Sequence, residues 1–318
     1  MRTCREAILV RKVIPRKRRI AHKVLRVRCS LVRPKAATYG KRLTSYPVDS
    51  AGVSCGRFSH VRSRAVHMLQ SLSNKTKVQL RDVGRRFGLE VRLNGVNSRD
   101  DLRLVHFLRM HEIDLVIDVG ANKGQFGTML FAAGFQGSMI SFEPLPAAHS
   151  ELMRTTKASG RRWIVGPAVA LSDTTGSATF NVTEASTSSS LHEPRESFVE
   201  HTPQVAVAKR IEVKTERLDS FANMIDHAGK RAFLKLDVQG GEAAVLAGAS
   251  AVLPQLQGVL SELSLVELYA GQATAIEVHQ LIAGGGFELW DIWQGYRNPR
   301  TQRLTQIDAL YFRASARP

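Results

Sequence analysis

Leu115-Val-Ile-Asp-Val-Gly-Ala-Asn-Lys-Gly-Gln-Phe126 is the stretch on which the fold turns. Residues 115–119 run without a break into Gly120, the pattern of a short strand buried on both faces of a parallel sheet. Two glycines follow at the spacing Asp118-x-Gly120-x-x-x-Gly124, and residues 125–133 then carry helical periodicity, closed by Gly134. A glycine turn after a first strand lets backbone approach a ligand closely, because no Cβ stands in the way. The spacing is not Gly-x-Gly-x-x-Gly, and Lys123-Gly124 lacks the Gly-Lys-Ser/Thr ending of a P-loop.

Outward from that stretch the alternation continues. Ser138-Met-Ile-Ser-Phe142 reads as a second strand ending in Glu143-Pro144, and residues 147–158 as a helix. Arg162-Trp-Ile-Val165 reads as a third strand, which Ala168-Val-Ala-Leu-Ser-Asp173 continues into a loop. Upstream, Asp100 to His111 reads as a helix with Ser98 or Asp100 as its cap. Downstream, Gly258-Val-Leu-Ser-Glu262 reads as strand five, and Ala275 to Ala283 as a helix stopped by Gly284-Gly-Gly286. Phe287 to Ile292 and Ile307 to Phe312 read as two last strands, paired antiparallel. The fold class expected is α/β, a doubly wound and mostly parallel sheet with an antiparallel C-terminal strand. Trp290 and Trp293 read as core or edge packing. An acid ending the second strand, Glu143, stands where a carboxylate can accept both hydroxyls of an adenosine ribose. A dinucleotide fold and a purely structural turn remain rival readings of the same residues.

Asp118-Val-Gly-Ala-Asn-Lys-Gly-Gln-Phe126, followed by Ser141-Phe-Glu-Pro144, closely resembles the FkbM family of methyltransferases. The resemblance runs on through Ala168-Val-Ala-Leu-Ser-Asp173, Arg217-Leu-Asp-Ser-Phe221 and Leu234-Lys-Leu-Asp-Val-Gln-Gly-Gly-Glu242 with Val245-Leu-Ala-Gly-Ala249. Glu262 followed by Leu268-Tyr269 looks like the family's strand-five region, and the resemblance covers roughly residues 100–313 in order. Gly241 departs from the family pattern, which more usually has a bulkier small residue such as Ala. The resemblance implies a class I, Rossmann-like methyltransferase fold that binds S-adenosylmethionine and methylates oxygen, often on sugars or secondary metabolites. Carried over by position, Asp118, Gly120, Ala121, Asn122, Gly124 and Phe126 would form the methionine side of the pocket. Glu143 would take the ribose, Pro144 would shape the turn beside it, and Ala168 and Val169 would lie near the adenine.

A sugar hydroxyl has a high pKa and needs a proton acceptor or a metal ion to become nucleophilic. Asp237, ending strand four, is the first choice for that acceptor, and Glu262 could share the task or be structural. Glu242 is read as capping the helix that follows it. His192 and His201, in the hydroxyl-rich segment Thr183 to Pro203, are weaker candidates for a base. That segment reads as a lid or acceptor-binding element, or else as a mobile surface insertion. Mg²⁺ takes hard oxygen ligands, but the sequence shows no dedicated carboxylate cluster, so no metal site is assigned.

Charge separates the chain into two regions. Residues 1–100 hold 25 of the 45 Lys and Arg against five of the 28 Asp and Glu, whereas the remainder is nearly balanced at 20 against 23. The high pI therefore belongs to the N-terminal part, and a near-neutral domain argues against a surface that tracks phosphates, hence against nucleic acid as its partner. Residues 1–67 are read as a basic extension, residues 68–99 as a helix-and-strand lead-in, and residues 100–318 as the methyltransferase domain. The extension has three readings: a disordered leader, a stretch upstream of a true start at Met68, or a basic arm touching anionic lipid or nucleic acid. All three cysteines, Cys4, Cys29 and Cys55, lie in it without zinc spacing. With no run of about 18 apolar residues and no secretory h-region, a cytoplasmic location is expected, peripheral contact with a membrane being left to the extension. The expected acceptor is a small molecule or glycolipid. A rival of another class is a methyltransferase-fold scaffold, or an RNA-modifying protein, that uses the basic arm for binding.

Overall fold

Five-residue strands without an exposed position arise where apolar runs are covered on both faces, and three such strands lie side by side in this protein. They are β1 (Leu115–Val119), β2 (Ser138–Phe142) and β7 (Ala232–Leu236), each buried along its whole length. The computed structural model describes Val96 and residues 98–314. The basic extension and most of the helix-and-strand lead-in over residues 68–99 lie outside the described residues.

The main sheet has seven strands in the order β3-β2-β1-β7-β8-β10-β9, with β3 at Trp163–Val165, β8 at Gly258–Ser264, β9 at Phe287–Gln294 and β10 at Gln306–Arg313. β1 pairs parallel with β2 and β7, β2 with β3, and β7 with β8. β10 pairs antiparallel with both β8 and β9. This is the class I methyltransferase arrangement that the sequence implies, with its antiparallel strand inserted near the C-terminal edge. The order reverses at β1, so the crevice above the carboxyl ends of β1, β2 and β7 is the place where such sheets bind ligands.

Helices cover both faces. α1 (Asp100–Met110) and α2 (Gln125–Ala132) lie on one, where Leu104, Leu108 and Leu130 pack against Val116, Met139, Phe233 and Leu310. On the other, α5 (Ala222–Ala228), α6 (Glu242–Ala247) and α7 (Ala275–Gly284) meet Ile117, Ile140, Leu234 and Val259. α3 (Pro146–Ser159) starts with proline at its first position, where the missing N–H costs nothing, and ends on Gly160 in the left-handed region. α7 is held by a capping box: Thr274 accepts from the Glu277 N–H, and Glu277 reaches back to the Thr274 N–H.

The sequence reading misses one component. Val169–Leu171 does not extend the third strand. It forms β4 of a separate three-stranded sheet, ordered β4-β6-β5, with β5 at Gly176–Thr183 and β6 at Val207–Glu216. β5 and β6 are an antiparallel pair joined by the hydroxyl-rich segment, which includes the short helix α4 (Glu196–His201). Their exposed faces are charged and polar, which masks the alternation of Ala178, Phe180 and Val182 and of Ile211 and Val213.

Two glycines of the conserved-looking block 234–242 and its partner turn differ sharply in what they tolerate. Gly120 lies at φ +76°, and a Cβ there would stand 1.9 Å from the Asp237 carbonyl oxygen. Gly241 lies at φ −92°, and a Cβ there would meet only Val238 Cγ2 at 3.4 Å. Gly120→Ala should therefore destabilise the fold by more than about 2 kcal/mol in urea titration. Gly241→Ala should be neutral or stabilising by up to about 1 kcal/mol, as for an unstrained Gly→Ala change.

Candidate active site

The turn after β1 is built by backbone hydrogen bonds to the neighbouring strand end. The N–H groups of Gly120 and Ala121 both donate to the Phe142 carbonyl, at 3.1 and 3.0 Å. Asn122 then turns into the left-handed region at φ +47°, which Asn tolerates better than most residues, and its N–H donates to Glu143 Oε2 at 2.8 Å. The other Glu143 oxygen accepts the Leu145 N–H at 2.8 Å. The carboxylate thus links the two strand ends while facing a cleft. Burial raises the Glu143 pKa above the ordinary carboxylate range, and the two backbone N–H groups oppose that rise.

The cleft encloses about 710 Å³ of non-protein space, part of it open to solvent. Gly120, Asn122, Glu143, Pro144 and Asp237 line it, together with the apolar Val169, Leu171 and Phe180. Ser186, Thr187, Ser189, Leu191 and His192 of the hydroxyl-rich segment cross it. That segment is tied down at both ends of the cleft. Asn122 Nδ2 donates to Ser186 Oγ at 3.3 Å, and Ser190 Oγ donates to the Gln239 carbonyl at 2.7 Å.

Beneath the turn lies a buried ion pair. Asp118 has no exposed surface, and the Lys235 ammonium sits 3.0 Å from its Oδ1. The same ammonium donates to the Gly120 carbonyl at 3.2 Å, stands 3.5 Å from Asp237 Oδ2 and lies 5.4 Å from the centre of the Phe126 ring. Burial alone would lower the Lys235 pKa. Asp118 and Asp237 more than offset it, and the ammonium is held above its ordinary range. Asp118 Oδ2 accepts from Ser141 Oγ at 3.2 Å, and Ser141 in turn accepts from the Trp163 indole N–H at 2.9 Å.

A group of carboxylates gathers at the ends of β7, β8 and β10. Gln239 Nε2 donates to both Asp237 Oδ1 and Glu262 Oε2, at 2.7 and 2.8 Å, and Gln306 Nε2 adds a 2.7 Å bond to Glu262 Oε2. Burial, then the charges of Asp237, Glu242 and Asp308, push the Glu262 pKa well above the usual range. Glu242 is not a conventional cap: its carboxylate accepts the N–H groups of Val238 (3.1 Å) and Gly240 (3.0 Å) in the turn before α6. Among the described residues, no group of three or more His, Cys, Asp or Glu side chains is arranged to hold a metal ion.

The model of the methyltransferase FkbM domain matches residues 118–289, more than half of the chain. The chain belongs to the FkbM methyltransferase family. That family is one of S-adenosylmethionine-dependent methyltransferases. It is 28% identical over 167 residues to the 2-O-methyltransferase NoeI of Sinorhizobium fredii, a match covering 50% of this chain and 66% of that protein, just under two thirds of its length. Among solved structures, a TehB-like SAM-dependent methyltransferase from Corynebacterium glutamicum is 13% identical (TM-score 0.33, 68% of this chain and 88% of that one). Magnesium protoporphyrin IX methyltransferase (ChlM) from Synechocystis, solved with bound SAM, is also 13% identical (TM-score 0.36, 77% and 99%).

Within this FkbM-family cleft the expected residues separate into three groups. Gly120, Asn122, Glu143, Pro144, Val169 and Asp237 line it. Asp118, Ala121, Gly124 and Phe126 lie behind it: a Cβ at Gly124 would meet the Trp163 ring at 2.9 Å, so that glycine serves packing. Ala168 is exposed and Glu262 stands behind Asp237, neither lining the cleft. His192 reaches the cleft wall with Nδ1 3.0 Å from the Ala270 carbonyl, whereas His201, at the end of α4, does not line the cleft. Trp293 is buried, its indole N–H donating to Asp291 at 2.7 Å. Lys235 is the residue that sequence reasoning passed over. Its signal was available: a lysine inside the buried run Phe233-Leu-Lys-Leu236, at the same register as the aspartate inside Leu115–Val119.

Burial raises the Glu242 pKa to about 7. The folded protein therefore holds a proton that the unfolded chain, titrating near 4.5, has released, and stability falls as pH rises from about 4.5 to 7. Asp308, raised by burial and by Asp237 to about 6, acts in the same sense. Urea midpoints should decline between pH 5 and 7.5, and Glu242→Gln should flatten that decline. An unchanged slope in the variant would assign the titration elsewhere.

Proposed function

We propose that the chain transfers a methyl group to a hydroxyl oxygen of a sugar, glycolipid or secondary metabolite, with Asp237 as the proton acceptor. The observation that carries this reading is that Asp237 and Glu143 both line one cleft, the Asp237 side chain 39% exposed and braced by Lys235. The residues fit the cofactor. Each Glu143 oxygen has a lone pair beyond the one used by Asn122 or Leu145, enough to accept two ribose hydroxyls. Val169, Leu171 and Phe180 offer an apolar wall for the adenine ring. S-adenosylmethionine supplies an electrophilic methyl group on a sulfonium centre.

The chain's own residues would then do the rest. Asp237 would take the proton that the acceptor hydroxyl gives up on methylation. Lys235 would brace the Asp237 carboxylate beforehand and stay paired with Asp118 afterwards, and Glu262 would act through Asp237 rather than on the acceptor. Ser186 to His192 lie over the cleft, where they would exclude water and orient the acceptor. The 2-O-methyltransferase name of the Sinorhizobium relative supports a sugar-like acceptor. A near-neutral domain supports a small molecule rather than nucleic acid. No helix among the described residues is long and apolar enough to cross a membrane. A cytoplasmic site of action, with any membrane contact made through the basic N-terminal region, completes the reading.

Deleting the gene should remove a 14 Da increment, about one CH₂ (the net size of a transferred methyl), from a metabolite or lipid, and mass spectrometry of extracts would identify the acceptor. On that acceptor Asp237→Asn should lower kcat at least about 100-fold, as for loss of a general base, with S-adenosylhomocysteine affinity within a few-fold by calorimetry. Glu143→Gln should weaken that affinity by about tenfold or more, one charged hydrogen-bonding group being lost. A folded Asp237→Asn enzyme working near the wild-type rate would remove the assignment.

The segment across the cleft gives a separate expectation. Limited proteolysis should cut between residues 184 and 203 in the free protein and slow when S-adenosylhomocysteine is bound. Cleavage at the same rate with and without the ligand would mean that the segment is not a lid.

A further inference from the structure

Gln239 occupies a position no amide side chain needs for folding alone. It lies in the left-handed region at φ +59°, between Val238 and Gly240, where its backbone carbonyl is fixed by Ser190 Oγ at 2.7 Å. Backbone strain of this kind persists where the surroundings over-determine it and is concentrated at functional sites. The side chain is then used completely. Both Nε2 hydrogens are committed, one to Asp237 Oδ1 and one to Glu262 Oε2, while Oε1 accepts from the Tyr269 hydroxyl at 2.8 Å. The amide is oriented by Asp237, which accepts from Nε2, and by the Tyr269 phenol, which has the proton to give to Oε1.

We infer that Gln239 is a positioning residue that holds the Asp237 carboxylate ionised and aimed into the cleft, by placing a neutral donor between it and Glu262. This inference rests on the reading of Asp237 as proton acceptor. Two carboxylates sharing a site without donors between them share a proton, and the proton affinity of one rises steeply. The amide gives one N–H to each and keeps the proton of the pair on the buried Glu262, whose pKa is pushed well above the usual range. Glutamate at position 239 would do the reverse, setting a third acceptor against the first two. The other charged or titratable groups facing Asp237 are Lys235 of β7, Glu242 of α6, Asp308 of β10, and Tyr269 and His192 from the flanking loops. Asp118 reaches it only through Lys235. None of these inserts a donor between Asp237 and Glu262. The Tyr269 hydroxyl also stands 3.0 Å from the Ser188 carbonyl, and its single proton links the amide to the segment crossing the cleft.

The test is a ¹³C NMR titration of the full chain labelled at Asp and Glu carboxyl carbons, with the Asp237 resonance assigned by its loss in Asp237→Asn. Gln239→Glu is isosteric. Gln239→Asn keeps an amide and tolerates the left-handed backbone, but it is one methylene too short to bridge both carboxylates. In both variants the Asp237 midpoint should rise by about one unit, a tenfold gain in proton affinity (about 1.4 kcal/mol). In the wild-type protein the Gln239 side-chain N–H shifts should follow the Asp237 titration. Once the acceptor is identified, the acidic limb of the kcat/KM profile should move up by the same amount, while S-adenosylhomocysteine affinity stays within threefold. An Asp237 midpoint unmoved in Gln239→Asn, or wild-type amide shifts indifferent to the titration, overturns the role given to Gln239. An active Asp237→Asn enzyme overturns the role given to Asp237, a different result from a different protein.

Discussion

The ammonium of Lys235, buried under the first glycine turn and 3.0 Å from Asp118, is the constraint on which the site depends. As a source of stability a buried ion pair is a poor choice, because desolvating two charges can cost more than their attraction returns. A pair of apolar residues at these aligned positions on β1 and β7 would pack the sheet as well. Such residues could not hold the carbonyls of Val119 and Gly120, which the ammonium reaches at 3.4 and 3.2 Å. By drawing those carbonyls down, Lys235 leaves the N–H groups of the turn pointing toward β2 and Glu143. The same ammonium fixes the near side of Asp237. One charge therefore braces both the turn after β1 and the Asp237 carboxylate, two parts of the cleft lining.

The contact between that turn and the end of β7 allows almost no variation. Gly120 passes so near the Asp237 carbonyl that any side chain would collide with it. The sheet thus joins two loops that are 117 positions apart in the chain, and it does so at the point where the strand order reverses. The three-stranded sheet has a different task. It carries the hydroxyl-rich segment on the β5–β6 connection and delivers Ser186 to Ser190 across the cleft, anchored by Asn122 on one side and Gln239 on the other.

What the sequence disclosed follows from what each residue had to do locally. β1, β2 and β7 were legible because burial on both faces demands uninterrupted apolar runs. Glu143 and Asp237 were legible because they end such runs, where polar residues first meet the cleft. The roles of Gly124 and Ala168 were not, since a glycine spacing cannot say whether the missing Cβ makes room for a ligand or for the ring of Trp163, nor a short Ala-Val run which of its residues turns inward. β5 and β6 were concealed by their exposed positions, where Thr179, Lys209, Arg210, Glu212 and Lys214 interrupt the apolar alternation. Lys235 was concealed by distance: a lysine in a strand reads as an edge residue until the register places Asp118 beside it.

The electrostatics of the acceptor end follow from an imbalance. Asp237, Glu262, Asp308 and Glu242 converge there, while among the described residues Lys235 is the one cation that pairs with any of them. Burial raises the proton affinity of Glu242, Glu262 and Asp308, so these three relieve the excess charge by taking up protons as the pH falls. Asp237 differs in position: it alone borders both the ammonium and the cleft, with an amide hydrogen holding its other oxygen. A carboxylate so placed differs from neighbours that burial pushes toward the protonated form. Each proton those neighbours take up lessens the negative charge that gathers around Asp237.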